Sequence, residues 1–317
     1  MQASLVLATN PDHTRFFVPV AINGVAKLML LDTGGAVSEL TPEVVQELNL
    51  PRHDVGFKIV DVSGNSSRQV ALATSFDMDT LQGSNVEFMI GTFQGMFGKE
   101  TKIAGILAPN VLYFYDVDID FGTAKLNLMS QDHCEGKVIY WRPSAVAVVP
   151  MRVARSHHIV VPVTLDGHQY NALLDTGASD SSLNLTDAEG DFGLKVGGPD
   201  MKPVGQLHDK AGSSIYQHTF KSLSFGGISV SNPTMEIVPD LTKGIEARAP
   251  PTGTRIPDND EAQGLPDMLL GMDVLRHLHL YIAYKEQKLY ITPSDAPPPA
   301  PADAPPAPSP AGPTAGH

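Results

Sequence analysis

Two aspartates stand in the same local sequence. Asp32 and Asp175 each open an Asp-Thr-Gly triplet, and each triplet follows a pair of leucines, Leu30-Leu31 and Leu173-Leu174. Two carboxyls brought within hydrogen-bond reach cannot both ionise comfortably, so they share one proton. The charged member of such a pair can serve as general base on a bound water while the protonated member donates to a carbonyl oxygen. Plain strand-to-turn punctuation would use the same residue types, with Asp capping and Gly supplying positive φ. A single such triplet arises by chance in a chain of this length at roughly the few-per-cent level. Two copies inside longer matching blocks favour a shared chemical purpose.

The matching blocks also indicate how the aspartates are positioned. Residues 17–40, FVPVAINGVAKLMLLDTGGAVSEL, match residues 160–183, VVPVTLDGHQYNALLDTGASDSSL, at a constant offset of 143, and Ser38 and Leu40 fall on Ser181 and Leu183. Residues 106–128 match residues 269–291 at an offset of 163. The twenty-residue difference points to a loop insertion at 240–267, a polar, Pro- and Gly-rich stretch. Phe17–Ile22 and Ile159–Leu165 read as strands that turn at Asn23-Gly24 and Asp166-Gly167, the two-residue hairpin signal. The returning strands, Ala26–Leu31 and Tyr170–Leu174, run straight into the triplets. Thr41-Pro42-Glu43 predicts a helix over Pro42–Leu48, with Thr as N-cap and Pro at the first helical position. Short helices are expected after Pro109 and Gly271. Lys58–Leu72 and Pro203–Phe225 fit hairpins around Ser63-Gly64-Asn65 and Asp209–Gly212.

The paired triplets, their preceding leucines and the later Leu269-Leu270-Gly271 element, with its imperfect copy Ile106-Leu107-Ala108, resemble the pepsin-like and retropepsin-like aspartic proteases. The short lobes and the sequence GMDVLRHLHLYIAYKEQKLYI are more similar to bacterial retropepsin-like members than to pepsin. The resemblance implies an all-β fold of two homologous acid-protease barrel lobes with short helices and a cleft between them. It implies an aspartic endopeptidase in which a water activated by Asp32 and Asp175 attacks a peptide carbonyl, with no metal and no organic cofactor. The proton shared by this family's carboxyl pair is the standard illustration of such splitting, and it belongs to the pair rather than to either residue. By the same resemblance Thr33 and Thr176 would cross-link the two loops, Gly34 and Gly177 would allow close backbone approach, and Gly35 and Ala178 would complete the loops. Flaps over extended substrate would be tipped near Ser63-Gly64 and near Lys210–Gly212. Departures are Gly35, where the family usually has Ser, Thr or Ala, and Ala108, whose Cβ is expected to strain the turn beneath the catalytic loop. Neither Gly35 nor Ala178 has a side chain that can bond a carboxylate. A catalytically weak or inactive peptide-binding protein of the same fold is the alternative.

Composition bounds the rest. The 317 residues are 42% hydrophobic and carry a net charge of −13, enough apolar content for a sizeable core and an acidic balance that repels nucleic acid. No apolar run is long enough for a membrane-spanning helix. Ten of the 26 prolines lie after Ile291, so residues 293–317 read as a disordered Pro/Ala-rich tail. The expected organisation is an N-terminal extension (1–13), a first lobe (14–130), a connection (131–156), a second lobe (157–292) and the tail, with the folded part starting near residue 12. One cysteine, Cys134, sits in the connection and permits no intrachain disulfide. His277 and His279, and His157 and His158, lack evident further ligands for a metal and read as packing or surface residues. Asp116, Asp118 and Asp120 alternate along a probable strand and are expected on a solvated face. The expected partner is an extended polypeptide, with a monomer favoured over a homodimer. An exported, periplasmic location fits the composition, although no signal peptide is visible, and a cytoplasmic one is the alternative.

Overall fold

The computed structural model describes residues 1–60, 66–91, 102–154, 156–206, 214–239 and 266–294. Strands dominate, and they form three sheets. The first contains, in order, Ala8–Thr9, Phe16–Ile22, Val25–Leu31, Ile103–Leu107, Glu39–Leu40, Leu81–Ile90, Ser66–Met78 and Arg52–Val60. Ser66–Met78 also pairs back onto Phe16–Ile22, Ala21 facing Asp77 and Ile22 facing Phe76, so the sheet curls toward closure. The second sheet repeats this order of pairings. Ile159–Leu165 and His168–Leu174 form the hairpin, and Met268–Leu270 lies parallel to the latter and antiparallel to Ser182–Asn184. Val25–Leu31, Ile103–Leu107 and Glu39–Leu40 are related in the same way in the first sheet.

Local chemistry explains these hairpins. Asn23 and Gly24 sit at φ 49° and 77°, and Asp166 and Gly167 at φ 47° and 90°, the left-handed pair that a two-residue turn between twisted strands requires. The helix Pro42–Glu47 is capped by Thr41, whose Oγ1 accepts from the N–H of Val44 at 3.3 Å. Helices Pro109–Leu112 and Met272–Leu275 stand where the sequence places them. Leu185–Phe192 is a helix that the sequence did not announce. It buries only Ala188, carries Gly190 and Asp191 inside, and closes on Gly193 at φ 67°.

The third sheet joins the two halves. Its order is Ala3–Val6, Lys125–Met129, Asp116–Asp120, Leu278–Ala283, Lys288–Pro293 and Ala147–Pro150. At its centre Val117 faces Ile282 and Ile119 faces Leu280, all fully buried. Burying that apolar area holds one half on the other. Two expectations are corrected here. The folded part begins at Ala3 rather than near residue 12, because Ala3–Val6 pairs with Lys125–Met129 and buries Ala3 and Leu5. The stretch 131–156 is likewise more than a connection: Ala147–Pro150 pairs with Lys288–Pro293, and Arg152–Val153 with Ile159–Leu165.

The expected solvated face of Asp116, Asp118 and Asp120 is also overturned. All three are buried, because residues of the connection lie over that face of the sheet. His133 Nε2 is 2.5 Å from Asp116, Tyr140 donates its hydroxyl to Asp118, and Trp141 stacks at 3.9 Å on His279, which is 2.5 Å from Asp118. The alternation placed the three aspartates on one face, but only the folded chain covers that face.

The expected flap tips, Ser63-Gly64 and Lys210–Gly212, lie outside the described residues, as do most of the 240–267 loop and the tail beyond Ser294. The strands beside the tips do pair, Arg52–Val60 with Ser66–Met78 and Lys202–Gln206 with Ser214–Thr219. Among the described residues no helix is long and apolar enough to cross a membrane.

Candidate active site

Each triplet begins where a strand ends against its parallel neighbour. The N–H of Asp32 donates to Leu107 O, and that of Asp175 to Leu270 O, both at 3.0 Å. A buried serine underpins each turn. Ser38 Oγ accepts from the N–H of Ala108 at 3.0 Å and donates to Asn110 Oδ1 at 2.8 Å. Ser181 Oγ accepts from the N–H of Gly271 at 3.0 Å and donates to Asp273 Oδ1 at 2.6 Å. These four supporting side chains were not singled out from the sequence. The signal for the serines was present, since Ser38 and Ser181 match at the offset of 143.

The threonines fasten the two loops to each other. Thr33 Oγ1 donates to Leu174 O at 2.7 Å and accepts from the N–H of Thr176 at 3.1 Å. Thr176 Oγ1 donates to Leu31 O at 2.7 Å and accepts from the N–H of Thr33 at 3.1 Å. Neither threonine has accessible surface. Four buried hydrogen bonds therefore span residues more than 140 positions apart, and they leave the two aspartates side by side.

The glycines permit that proximity. A Cβ on Gly177 would lie 2.5 Å from the carboxyl carbon of Asp32, and one on Gly34 would overlap the Asp175 carboxyl. Within each loop Asp32 Oδ1 accepts the N–H groups of Gly34 and Gly35 at 2.9 and 2.8 Å, and Asp175 Oδ1 those of Gly177 and Ala178 at 2.8 and 3.2 Å. Gly35 and Ala178 thus reach the carboxylates through the backbone, with no need of a polar side chain. The strain expected at Ala108 is absent. Its φ and ψ of −106° and 171° are ordinary extended values, and Gly35 leaves room beside its methyl, where an added Cβ would stand 3.2 Å away.

The electrostatics follow from the crowding. Burial first, then the charge of Asp175, push the Asp32 carboxyl well above the usual carboxylate range, against the pull of the Gly34 and Gly35 N–H groups. Burial also raises Asp175, opposed by the Gly177 N–H and the bond to Asp32. The two carboxyls lie close enough that each shifts the other, so they titrate as a pair. Both residues keep part of their surface open to solvent. His158 also enters the site: its Nε2 is 3.1 Å from Gly35 O.

Residues 161–274 match the family model described as aspartyl protease. No curated protein matches the chain. Among solved structures, the aspartic proteinase from Irpex lacteus is similar over 92% of this chain and 97% of its own, at 12% identity and a TM-score of 0.50. The retropepsin-like aspartic protease from Rickettsia conorii aligns over 48% of this chain and 95% of its own, at 17% identity and a TM-score of 0.31.

Proposed function

We propose that this chain is an aspartic endopeptidase whose two halves act as lobes, each contributing one catalytic carboxyl, Asp32 and Asp175. The observation that carries this reading is the pair of carboxyls brought together above the Thr33–Thr176 bonds, close enough for each to shift the other. The ionised carboxyl takes a proton from water, the resulting hydroxide bonds to the peptide carbon, and the protonated carboxyl donates to the carbonyl oxygen. The tetrahedral diol then collapses: one of its hydroxyls gives its proton to the ionised carboxyl as the C=O re-forms, the C–N bond breaks, and the leaving nitrogen takes a proton from the other carboxyl, so the pair again holds one proton. No covalent bond to the protein forms. The fixed N–H groups on Oδ1 of each carboxyl keep the pair oriented throughout the cycle.

An extended polypeptide suits such a site, because strand-like backbone bonding leaves alternate side chains to pockets. One chain brings both aspartates together, so a monomer suffices. The backbone donors on both carboxyls and the unstrained Ala108 weigh against the inactive alternative.

The test is hydrolysis of an unfolded protein substrate from acid to neutral pH, with sedimentation of the active species. Asp32→Asn and Asp175→Asn are each expected to abolish cleavage. Full activity in either variant refutes the shared-proton mechanism, and activity confined to a dimer refutes the monomer.

A further inference from the structure

The carbonyls behind the two triplets are satisfied in different ways. Ala178 O accepts the N–H of Met272 at 2.9 Å, so the first residue of the helix Met272–Leu275 caps the second catalytic loop. Pro109 holds the corresponding place in the first half, since it follows Ala108 as Met272 follows Gly271, and both preceding N–H groups bond a buried serine. Proline has no N–H to give. A buried carbonyl left without a donor is costly. Gly35 O, the counterpart of Ala178 O, finds its donor in His158 Nε2, 3.1 Å away.

His158 comes from the other half of the chain. It ends the turn that closes with the N–H of Ala154 donating to His158 O at 2.9 Å, and it leads into the strand Ile159–Leu165. The adjacent His157 stacks at 4.1 Å on Tyr113, just past the helix Pro109–Leu112, which seats the turn on the first half. His158 is only 9% exposed, and its Nδ1 stands 2.9 Å from Ser156 Oγ.

Gly35 is a demanding residue to leave unanchored. Its N–H holds Asp32 Oδ1 at 2.8 Å, yet glycine has the greatest backbone freedom of any residue. Fixing its carbonyl fixes the orientation of the whole residue. We propose that His158 is a positioning residue for the catalytic pair: it supplies from the second half the donor that Pro109 lacks, and so keeps the Gly35 N–H on Asp32. The inference rests on the role proposed above for Asp32 and Asp175. A carbonyl only accepts, so Nε2 carries the hydrogen and Nδ1 accepts from the Ser156 hydroxyl, leaving the neutral ring satisfied on both sides. Burial holds His158 below the ordinary histidine range, against the pull of the Gly35 carbonyl and of Asp175, so the neutral form persists into mildly acidic solution. The titratable groups facing it are Asp175 and His157.

The test follows the carboxyl carbons of labelled aspartates by NMR against pH in the full chain, together with the pH profile of kcat/KM. His158→Leu removes the donor. The upper apparent pKa of the pair, which follows the raised Asp32, and the alkaline limb of the profile are expected to rise by about half a pH unit or more, because a bond favouring the ionised Asp32 is slackened. His158→Gln, whose amide reaches the place of Nε2, is expected to titrate like the wild type. The double variant His158→Leu/Pro109→Ala regains a backbone donor and is expected to return toward the wild type, which a general packing defect would not do. If His158→Leu does not fold, His158→Asn, too short to reach Gly35 O, carries the test. An unchanged titration in the donor-less variant, or no recovery with Pro109→Ala, overturns the inference. Failure of the underlying dyad reading is separately visible, as an Asp32 titration indifferent to Asp175→Asn.

Discussion

Replacing Thr176 by valine keeps the shape of the side chain and removes one hydroxyl. That hydroxyl donates to Leu31 O at 2.7 Å and accepts the N–H of Thr33 at 3.1 Å, in a place with no accessible surface. Water cannot replace either bond without opening the loops. Each buried polar group stripped of its partner costs about 1–3 kcal/mol, so Thr176→Val, which strips two, should destabilise the protein by about 2–6 kcal/mol. Thr176→Ser, which keeps the hydroxyl and loses a methyl, should cost about 1 kcal/mol. Thr33→Val removes the mirror pair of bonds, to Leu174 O and the Thr176 N–H. Once one set is gone the loops part, so the second substitution costs less. The double variant should fall short of the sum by on the order of 1 kcal/mol. Equilibrium unfolding in urea reads these differences, with the single Trp141, stacked on His279 in the joining sheet, as one probe and circular dichroism as a second. If valine and serine at 176 unfold within about 0.5 kcal/mol of each other, the bonds across the two loops do not hold them together and the argument fails.

Gly177→Ala places a methyl 2.5 Å from the Asp32 carboxyl carbon, so kcat/KM should fall by about a hundredfold or more as the carboxyls are displaced, while alanine at the open Gly190 should leave it unchanged. The raised pKa of Asp32 means that the folded state holds its proton more tightly than the unfolded state does. The contribution is full below the ordinary carboxylate range and is lost as pH rises through the raised value, so Asp32→Asn should melt like the wild type in acid and at a higher temperature near neutrality. A constant difference across pH would contradict this. His133 is the opposite kind of group: burial, the largest single influence, disfavours its charge, but the bond and charge of Asp116, the Cys134 carbonyl and the charge of Glu286 together outweigh it and raise its pKa. Its stabilisation is present below the ordinary histidine range and lost as pH rises through the raised value. The deficit of His133→Phe in thermal melts should therefore shrink toward alkaline pH.

Much of this arrangement is written locally. Asn23-Gly24 and Asp166-Gly167 specify turns because few residues tolerate paired left-handed φ values, and Thr41-Pro42 specifies a helix start through one hydroxyl and one ring. The helix Leu185–Phe192 escaped because Thr186, Asp187, Gly190 and Asp191 are weak helix formers, and it is the packing of Leu185, Ala188 and Phe192 against the core that maintains it. Ala3–Val6 escaped for a related reason. Four residues carry too short a pattern to announce a strand, and the partner Lys125–Met129 lies over a hundred positions away.

The sequence alone determined which groups can do chemistry and the backbone shapes around them: two aspartates, each at the end of a hydrophobic strand and followed by a threonine and then a glycine. Nearest-neighbour sterics and local hydrogen bonds suffice for that. Only the tertiary structure decided that the two aspartate loops are fastened together, that Asp116, Asp118 and Asp120 are covered, and that His158 replaces the donor missing at Pro109. Proximity and desolvation are set by how distant segments pack, and no stretch of sequence carries them by itself.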